Sequence, residues 1–393
     1  MLITDGEQRA ALAAVRALGR LGHRVLVTSG RGRSLAGASR YAAADFTVPD
    51  PLARPPDFVR ELERITQREA IDVLVPLTDA ALLAVLAQRD RFAACRIPFP
   101  DLGRVQAVAN KAEVVRAAAE VGIASPAQRV IASRTGLAAL DWGGLAYPLV
   151  VKPARSVTDL DGGGRLKLNV RHAAAPDELR ACIDAVPASA YPLLLQQRIV
   201  GPGVGIFLLR WGGEPVATFA HRRIREKPPS GGVSVYRESI AADPKLVASS
   251  LALLRRFAWE GVAMVEYKLD AATGVPYLME INGRFWGSLQ LAVDAGVNFP
   301  GLLVSLALGE HPTPVTAYHV GVRSRWWLGD LDQLLARLRH STRELALPPG
   351  SPGRARALTD FLTLWRPGDR NEIFRWSDPM PAVRETVEWM QGR

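Results

Sequence analysis

The sequence predicts an α/β domain at the N-terminus followed by a larger α+β region, and three observations carry that expectation. Residues Met1 to about Pro100 alternate strand and helix patterns, which argues a parallel sheet with helices on its faces. Between Ser125 and Ile199 the period shortens and turn signals separate brief elements. From Gly261 to Pro300, two β-rich runs flank a turn and lead into an apolar helix.

In the N-terminal part, strands are expected at Met1–Thr4, His23–Thr28 and Ile71–Pro76. Helices are expected at Glu7–Leu21, Pro56–Arg68 and Asp79–Phe92. The first strand–helix turn, Thr4-Asp5-Gly6-Glu7, is not G-x-G-x-x-G, so no dinucleotide fingerprint is present. Thr78 and Asp79 follow a strand end, where α/β folds place ligands, but a helix N-cap is the stronger reading. Asp101–Gly122 reads as one helix carrying Asn110-Lys111 and closing at a Gly122 C-cap.

Tyr147–Pro153 is a strand with Lys152 near its end, held extended by the following proline. After it comes Asp159-Leu160-Asp161-Gly162-Gly163-Gly164-Arg165. Consecutive glycines let backbone N–H groups approach a phosphate, though a hairpin turn explains them nearly as well. Tyr191–Ile199 is an apolar strand with polar residues at its end. Strands Gly205–Arg210 and Pro215–His221 run into His221–Ser234, the densest basic cluster, whose prolines and glycines predict a loop. Pro244–Trp259 reads as a helix with Asp243 as N-cap. Gly301–Gly309 is a further helix. Leu331, Leu334, Leu335 and Leu338 mark another, with Asp330 and Asp332 at its start.

The chemistry concentrates in the hairpin of Val262–Leu269 and Pro276–Asn282. Side chains alternate along a strand, so Met264, Glu266 and Lys268 share one face, and Glu280, Asn282 and Arg284 share another. Pairing symmetric about Thr273 sets Glu266 opposite Glu280, and two like charges there destabilise the sheet unless a positive group lies between them. An edge hairpin with a solvated polar face is the plain alternative. The apolar helix that follows favours the other reading, in which two carboxylates and an amide oxygen hold a hard cation. Arg284 adds a guanidinium able to contact an anionic oxygen through two parallel bonds.

Composition narrows the class. With 393 residues, 48% of them hydrophobic, the chain suffices for two or three domains and a substantial core. Cys95 and Cys182 are its two cysteines, so neither a disulfide framework nor a thiolate metal site is expected. No run is long enough to span a membrane and no signal-peptide pattern is seen, so a cytoplasmic protein is expected. The net charge of +10 comes from 49 basic and 39 acidic residues that are dispersed, without a nucleic-acid-binding tract.

Glu266, followed by Glu280-Ile281-Asn282-Gly283-Arg284, resembles the Mg²⁺-ligating signature of the ATP-grasp enzymes, and the resemblance extends from about Asn110 to Pro300. It implies a Rossmann-like domain at 1–104 and an ATP-grasp domain pair at 105–310, with nucleotide between two α+β subdomains at about 125–199 and 200–310. Residues 311–393 would form an extension packed on the core. It also implies ATP and Mg²⁺ (or Mn²⁺) as cofactors, with Glu266, Glu280 and Asn282 as metal ligands. Lys111 and Lys152 would hold phosphates, and Gly162, Gly163 and Gly164 would form a lid over them. Gln196, Gln197 and Ile199 would lie at the hinge that reads the adenine edge. Family members often carry Glu where Gln196 stands, and an acidic residue near Gly203, so the nucleoside contacts expected here are those of backbone.

Arg284, with Lys268 beside Glu266, would neutralise charge on the moving phosphoryl group. Arg223 or Arg225, with Ser230 and Gly231 as an anion nest, would bind a substrate carboxylate or phosphate. The activity implied is that of a ligase joining a small-molecule carboxylate to an amine through an acyl phosphate, of the type related to carbamoyl-phosphate synthase, biotin carboxylase and D-Ala-D-Ala ligase. A bicarbonate-activating enzyme and a non-catalytic ATP-binding regulator are the alternatives. A homodimer is compatible with all three readings; nucleic acid and membrane partners are not expected.

Overall fold

The computed structural model describes residues 1–137, 145–159, 164–348, 350–363 and 366–392. Its first unit comprises β1 (Leu2–Ile3), α1 (Arg9–Arg20), β2 (Val25–Ser29), β3 (Ala42–Thr47), α2 (Pro55–Arg68), β4 (Leu74–Val75) and α3 (Asp79–Leu86). The strands form a parallel sheet in the order β3-β2-β1-β4. The expected alternation is present, with β3 as an addition. Its sequence, AAADFT, holds three alanines and an aspartate, poor strand formers that do not announce a strand, and Asp45 within it accepts bonds from Ser29 Oγ and the Ser34 amide. Helix α1 buries nine of its twelve residues, because helices packed on its outer side cover what would otherwise be a solvent face.

The single helix expected over Asp101–Gly122 is two, α4 (Leu102–Ala109) and α5 (Lys111–Glu120). Asn110 causes the break. It leaves the helical conformation, and its side-chain oxygen accepts the Ala112 amide at 3.1 Å as the N-cap of α5. Lys111 therefore opens a helix, where its own amide bonds the Ala154 carbonyl.

Elements β5 (Gln128–Ile131), β6 (Leu149–Pro153), β7 (Val157–Asp159), β8 (Arg165–Lys167), β9 (Arg171–Ala173), α6 (Pro176–Asp184) and β10 (Leu193–Gln197) build a small unit. Its main sheet runs β5-β10-β6-β9 and is antiparallel, and its core is its own, centred on Leu149, Leu179, Ile183 and Leu195.

The remainder comprises β11 (Gly203–Trp211), β12 (Glu214–Lys227), β13 (Val233–Ser239), α7 (Pro244–Arg256), β14 (Gly261–Leu269), β15 (Pro276–Asn282), α8 (Leu289–Asp294), α9 (Phe299–Ala307), β16 (Arg323–Arg325), α10 (Trp327–Arg339), α11 (Arg354–Leu362), β17 (Asp369–Asn371) and α12 (Met380–Met390). Seven of these strands form one sheet, in the order β15-β14-β11-β12-β13-β16-β17. Two expectations are corrected here. The basic stretch from His221 is strand rather than loop as far as Lys227, and only the turn between β12 and β13 remains irregular. The C-terminal segment does more than pack on the sheet, because β16 and β17 extend it.

That segment also ties the N-terminal unit down. Arg16 of α1, 1% exposed, donates from Nε to Asp378 Oδ2 at 2.8 Å and from Nη2 to the carbonyls of Ile373 and Asp378. Asp378 also accepts from Ser39 Oγ and the Arg40 amide. Removing one member of a buried pair leaves an uncompensated charge, at a cost of ~3–5 kcal/mol. Asp378→Ala is therefore expected to lower the urea midpoint and melting temperature markedly, whereas Asp360→Ala, at an exposed pair with Arg356, leaves both nearly unchanged.

Candidate active site at the paired-carboxylate hairpin

Strands β14 and β15 pair with Glu266 opposite Glu280 and Met264 opposite Asn282, the register symmetric about Thr273. One residue later the register shifts, and Tyr267 faces Leu278 across a bulge at Met279. The bulge has a packing reason. In a regular strand Leu278 would share the face of Glu280, but an extra residue between them turns Leu278 to the core, where it and Tyr267 are fully buried.

Positive groups reach the two facing carboxylates from two other elements, and a third lies just past the end of β15. Arg223 of β12 donates to Glu266 Oε2 at 2.5 Å, to Glu226 Oε1 at 2.7 Å and to the Gly232 carbonyl at 3.0 Å. Lys111, at the start of α5, has its ammonium 3.4 Å from Glu280 Oε2 and 3.1 Å from Ser156 Oγ. Arg284 donates to both oxygens of Asp79, each at 2.9 Å, and to Asn282 Oδ1 at 3.3 Å. Asn282 in turn donates to Glu280 Oε1 at 3.1 Å. The expected common face of Glu280, Asn282 and Arg284 is thus a hydrogen-bonded chain.

The two carboxylates titrate apart. Burial pushes the Glu266 carboxyl up, and the Arg223 guanidinium offsets this only in part. Burial acts on Glu280 too, but Lys111, Lys152, the Asn282 amide and Arg284 together hold it well below the usual carboxylate range. Lys152 lies on β6 and donates to Gln196 Oε1 at 2.8 Å; burial lowers its ammonium to about 8. Gln196 passes the contact on to Gln128.

Of the remaining expected residues, Lys268 stands on the face of Glu266, and its charge contributes to lowering Lys152. The Gln197 amide is already bonded to the Ala127 carbonyl at 2.8 Å, and Ile199 is buried just beyond the strand. Gly164 packs on the backbone of Leu52 and Ala53 of the N-terminal unit, while Gly162 and Gly163 lie outside the described residues. The Gly231 amide closes the β12–β13 turn onto Pro228, and Ser230 offers its carbonyl to Arg198. Arg225 is not available as a free anion binder. It grips both oxygens of buried Asp330, at 2.6 and 2.5 Å, beneath the Tyr236 ring.

Asp79, Lys111, Glu280 and Asn282 border a cavity of about 170 Å³ whose wall also includes Arg155 and Ser156. Lys152, Glu266 and Gln196 are outside that wall. Sequence reading gave no role to Arg155 or Ser156, although they lie only three and four positions after Lys152. It treated the Thr78-Asp79 step as a helix start. Thr78 does cap α3, yet Asp79 also pairs with Arg284, more than two hundred residues away. Among the described residues no three His, Cys, Asp or Glu side chains converge on a metal site. The donors here are two carboxylates and an amide oxygen, a set that suits a hard cation retaining waters and phosphate oxygens.

The chain is similar in structure to the L-amino acid ligase of Bacillus licheniformis, with 18% identity, 78% of this chain and 73% of that one covered, and a TM-score of 0.61. It is similar to a biotin carboxylase of Campylobacter jejuni in complex with β,γ-ATP, with 14% identity, coverages of 82% and 74%, and a TM-score of 0.63. The ADP complex of N5-carboxyaminoimidazole synthetase from Staphylococcus aureus gives 14% identity, coverages of 82% and 80%, and a TM-score of 0.61. The chain has the ATP-grasp fold, and the resemblance read from its sequence is borne out. More particularly, residues 189–327 match a family model described as ATP-grasp in the biosynthetic pathway with Ter operon. The sequence matches no curated protein. Among the described residues no helix is long and apolar enough to cross a membrane.

Proposed function

We propose that this protein is an ATP- and Mg²⁺-dependent ligase that joins a small carboxylate to an amine through an acyl phosphate. The observation that carries the reading is the hairpin register: Glu266 and Glu280 face each other, with Asn282 beside them and the Lys111 ammonium on Glu280. Glu266, Glu280 and Asn282 would hold Mg²⁺, which when bound supplies positive charge to the phosphate oxygens. Lys111 and Lys152 would hold the phosphates in line with the incoming carboxylate. Arg284, kept in place by Asp79, would face the charge that develops on the moving phosphoryl group.

Chemically, a carboxylate oxygen attacks the γ-phosphorus and the bond to ADP breaks. The amine then attacks the acyl carbon and inorganic phosphate departs with the bonding pair. The amine proton passes to the leaving phosphate or to water, so no dedicated base is required.

ADP release with Mg²⁺, measured against pools of carboxylates and amines, tests the reading. Release that needs one of each is the expected result. Release driven by bicarbonate without another acid would replace the ligase with a bicarbonate-activating enzyme, and tight ATP binding without turnover would leave a regulator.

A further inference from the structure

A second cavity, of about 220 Å³, adjoins the first and shares Arg155 and Thr158 with it. Its other walls are Ala154, Leu168, Ala190, Tyr191 and Pro192, with Asn110 and Ser189 as the polar members. Thr158 has no proton to give a carboxylate, because its hydroxyl donates to the Ser189 carbonyl at 2.8 Å. Both spaces fall below the ~300–1,000 Å³ typical of sites for drug-sized ligands, so a compact molecule fits and a peptide chain does not.

The cations around these spaces are not equivalent. Lys111 is paired with Glu280 and Arg165 donates to the Ala80 carbonyl, whereas Arg155, which is exposed, makes no ion pair or hydrogen bond among the described residues. A guanidinium at the junction of a polar and an apolar space matches a molecule with a carboxylate at one end and a hydrocarbon body at the other. A dicarboxylate or a phosphorylated acid would place its second charge against Leu168, Ala190 and Pro192, in a space whose wall holds no cation besides Arg155.

We infer that Arg155 seats the carboxylate that is to be activated, and that the second cavity holds the body of that acid. The preferred class is then a compact monocarboxylic acid with an apolar or aromatic body. This rests on the ligase reading, since it assigns the donor side of the same site. It adds a specificity-determining residue, Arg155, and a wall that sets size, Leu168.

Calorimetric titration separates the inference from its parent. Acetate, isobutyrate, benzoate, phenylacetate and succinate are titrated into the full chain with Mg²⁺ and a non-hydrolysable ATP analogue, in wild type, Arg155→Ala, Arg155→Lys and Leu168→Ala. Benzoate or phenylacetate is expected to bind better than acetate or succinate. Arg155→Ala should weaken the acids roughly tenfold or more, with Arg155→Lys in between and the affinity for the ATP analogue unchanged. Leu168→Ala, at a half-buried position that tolerates truncation, should move the preference toward bulkier acids. Loss of ATP-analogue affinity in Arg155→Ala would assign the guanidinium to the triphosphate and overturn the inference. So would preferential binding of succinate, or acid binding indifferent to Arg155. Acid binding that follows this pattern without ADP release in any amine pool would instead count against the ligase reading alone.

Discussion

Glu280→Gln is expected to lower kcat/KM by about 10³-fold or more while the protein stays folded. The substitution keeps shape and hydrogen-bonding capacity, so Asn282 retains a partner, but it removes the charge that Lys111 approaches at 3.4 Å. With one of two carboxylates gone, the cation site loses much of its affinity, and several kcal/mol of charge stabilisation go with it. The half-saturating Mg²⁺ concentration should rise in parallel, which a purely structural role for Glu280 would not produce. Steady-state ADP release over a Mg²⁺ series, beside a circular-dichroism melt, checks both. Unchanged turnover would remove Glu280 from the site.

The hairpin was legible in the sequence because its information is local. Two β-rich runs about Thr273 fix which residues face each other, and the pairing of Glu266 with Glu280 follows from counting. The bulge at Met279 was not legible, since it depends on Leu278 reaching a core assembled from other strands. The same limit explains the misreading of Arg222 to Lys227 as loop. Pro228, Pro229, Gly231 and Gly232 are true turn signals, but they govern only the turn. The charges before them sit stably in a strand because Glu266, Asp330 and Asp332 neutralise Arg223, Arg225 and Lys227 from 43 to 105 positions away. No local window contains those partners. Strands β16 and β17, three residues each and rich in arginine, are visible only through the sheet edge they extend.

Arg223→Met is expected to destabilise the metal-free protein by about 3 kcal/mol, and Mg²⁺ should recover more stability in the variant than it adds to the wild type. Arg223 was expected to bind substrate. Its three hydrogen bonds instead make it the counter-ion of Glu266 and Glu226, on the same carboxylate that the cation would use. Without it Glu266 faces Glu280 with no positive charge of its own, and a buried, unpaired carboxylate is costly. A cation bound between the strands supplies that charge. In the wild type, however, it must first compete with the guanidinium for Glu266 Oε2, so part of its binding free energy is spent on exchange. Removing Arg223 abolishes the competition, and the stabilisation by ligand then appears in full. Melting temperatures with Mg²⁺ and with a chelator, measured for both proteins, give the comparison directly. Equal Mg²⁺-induced shifts would mean that Arg223 and the cation do not meet at Glu266, and the ligand set would then have to be sought around Glu280 and Asn282 alone.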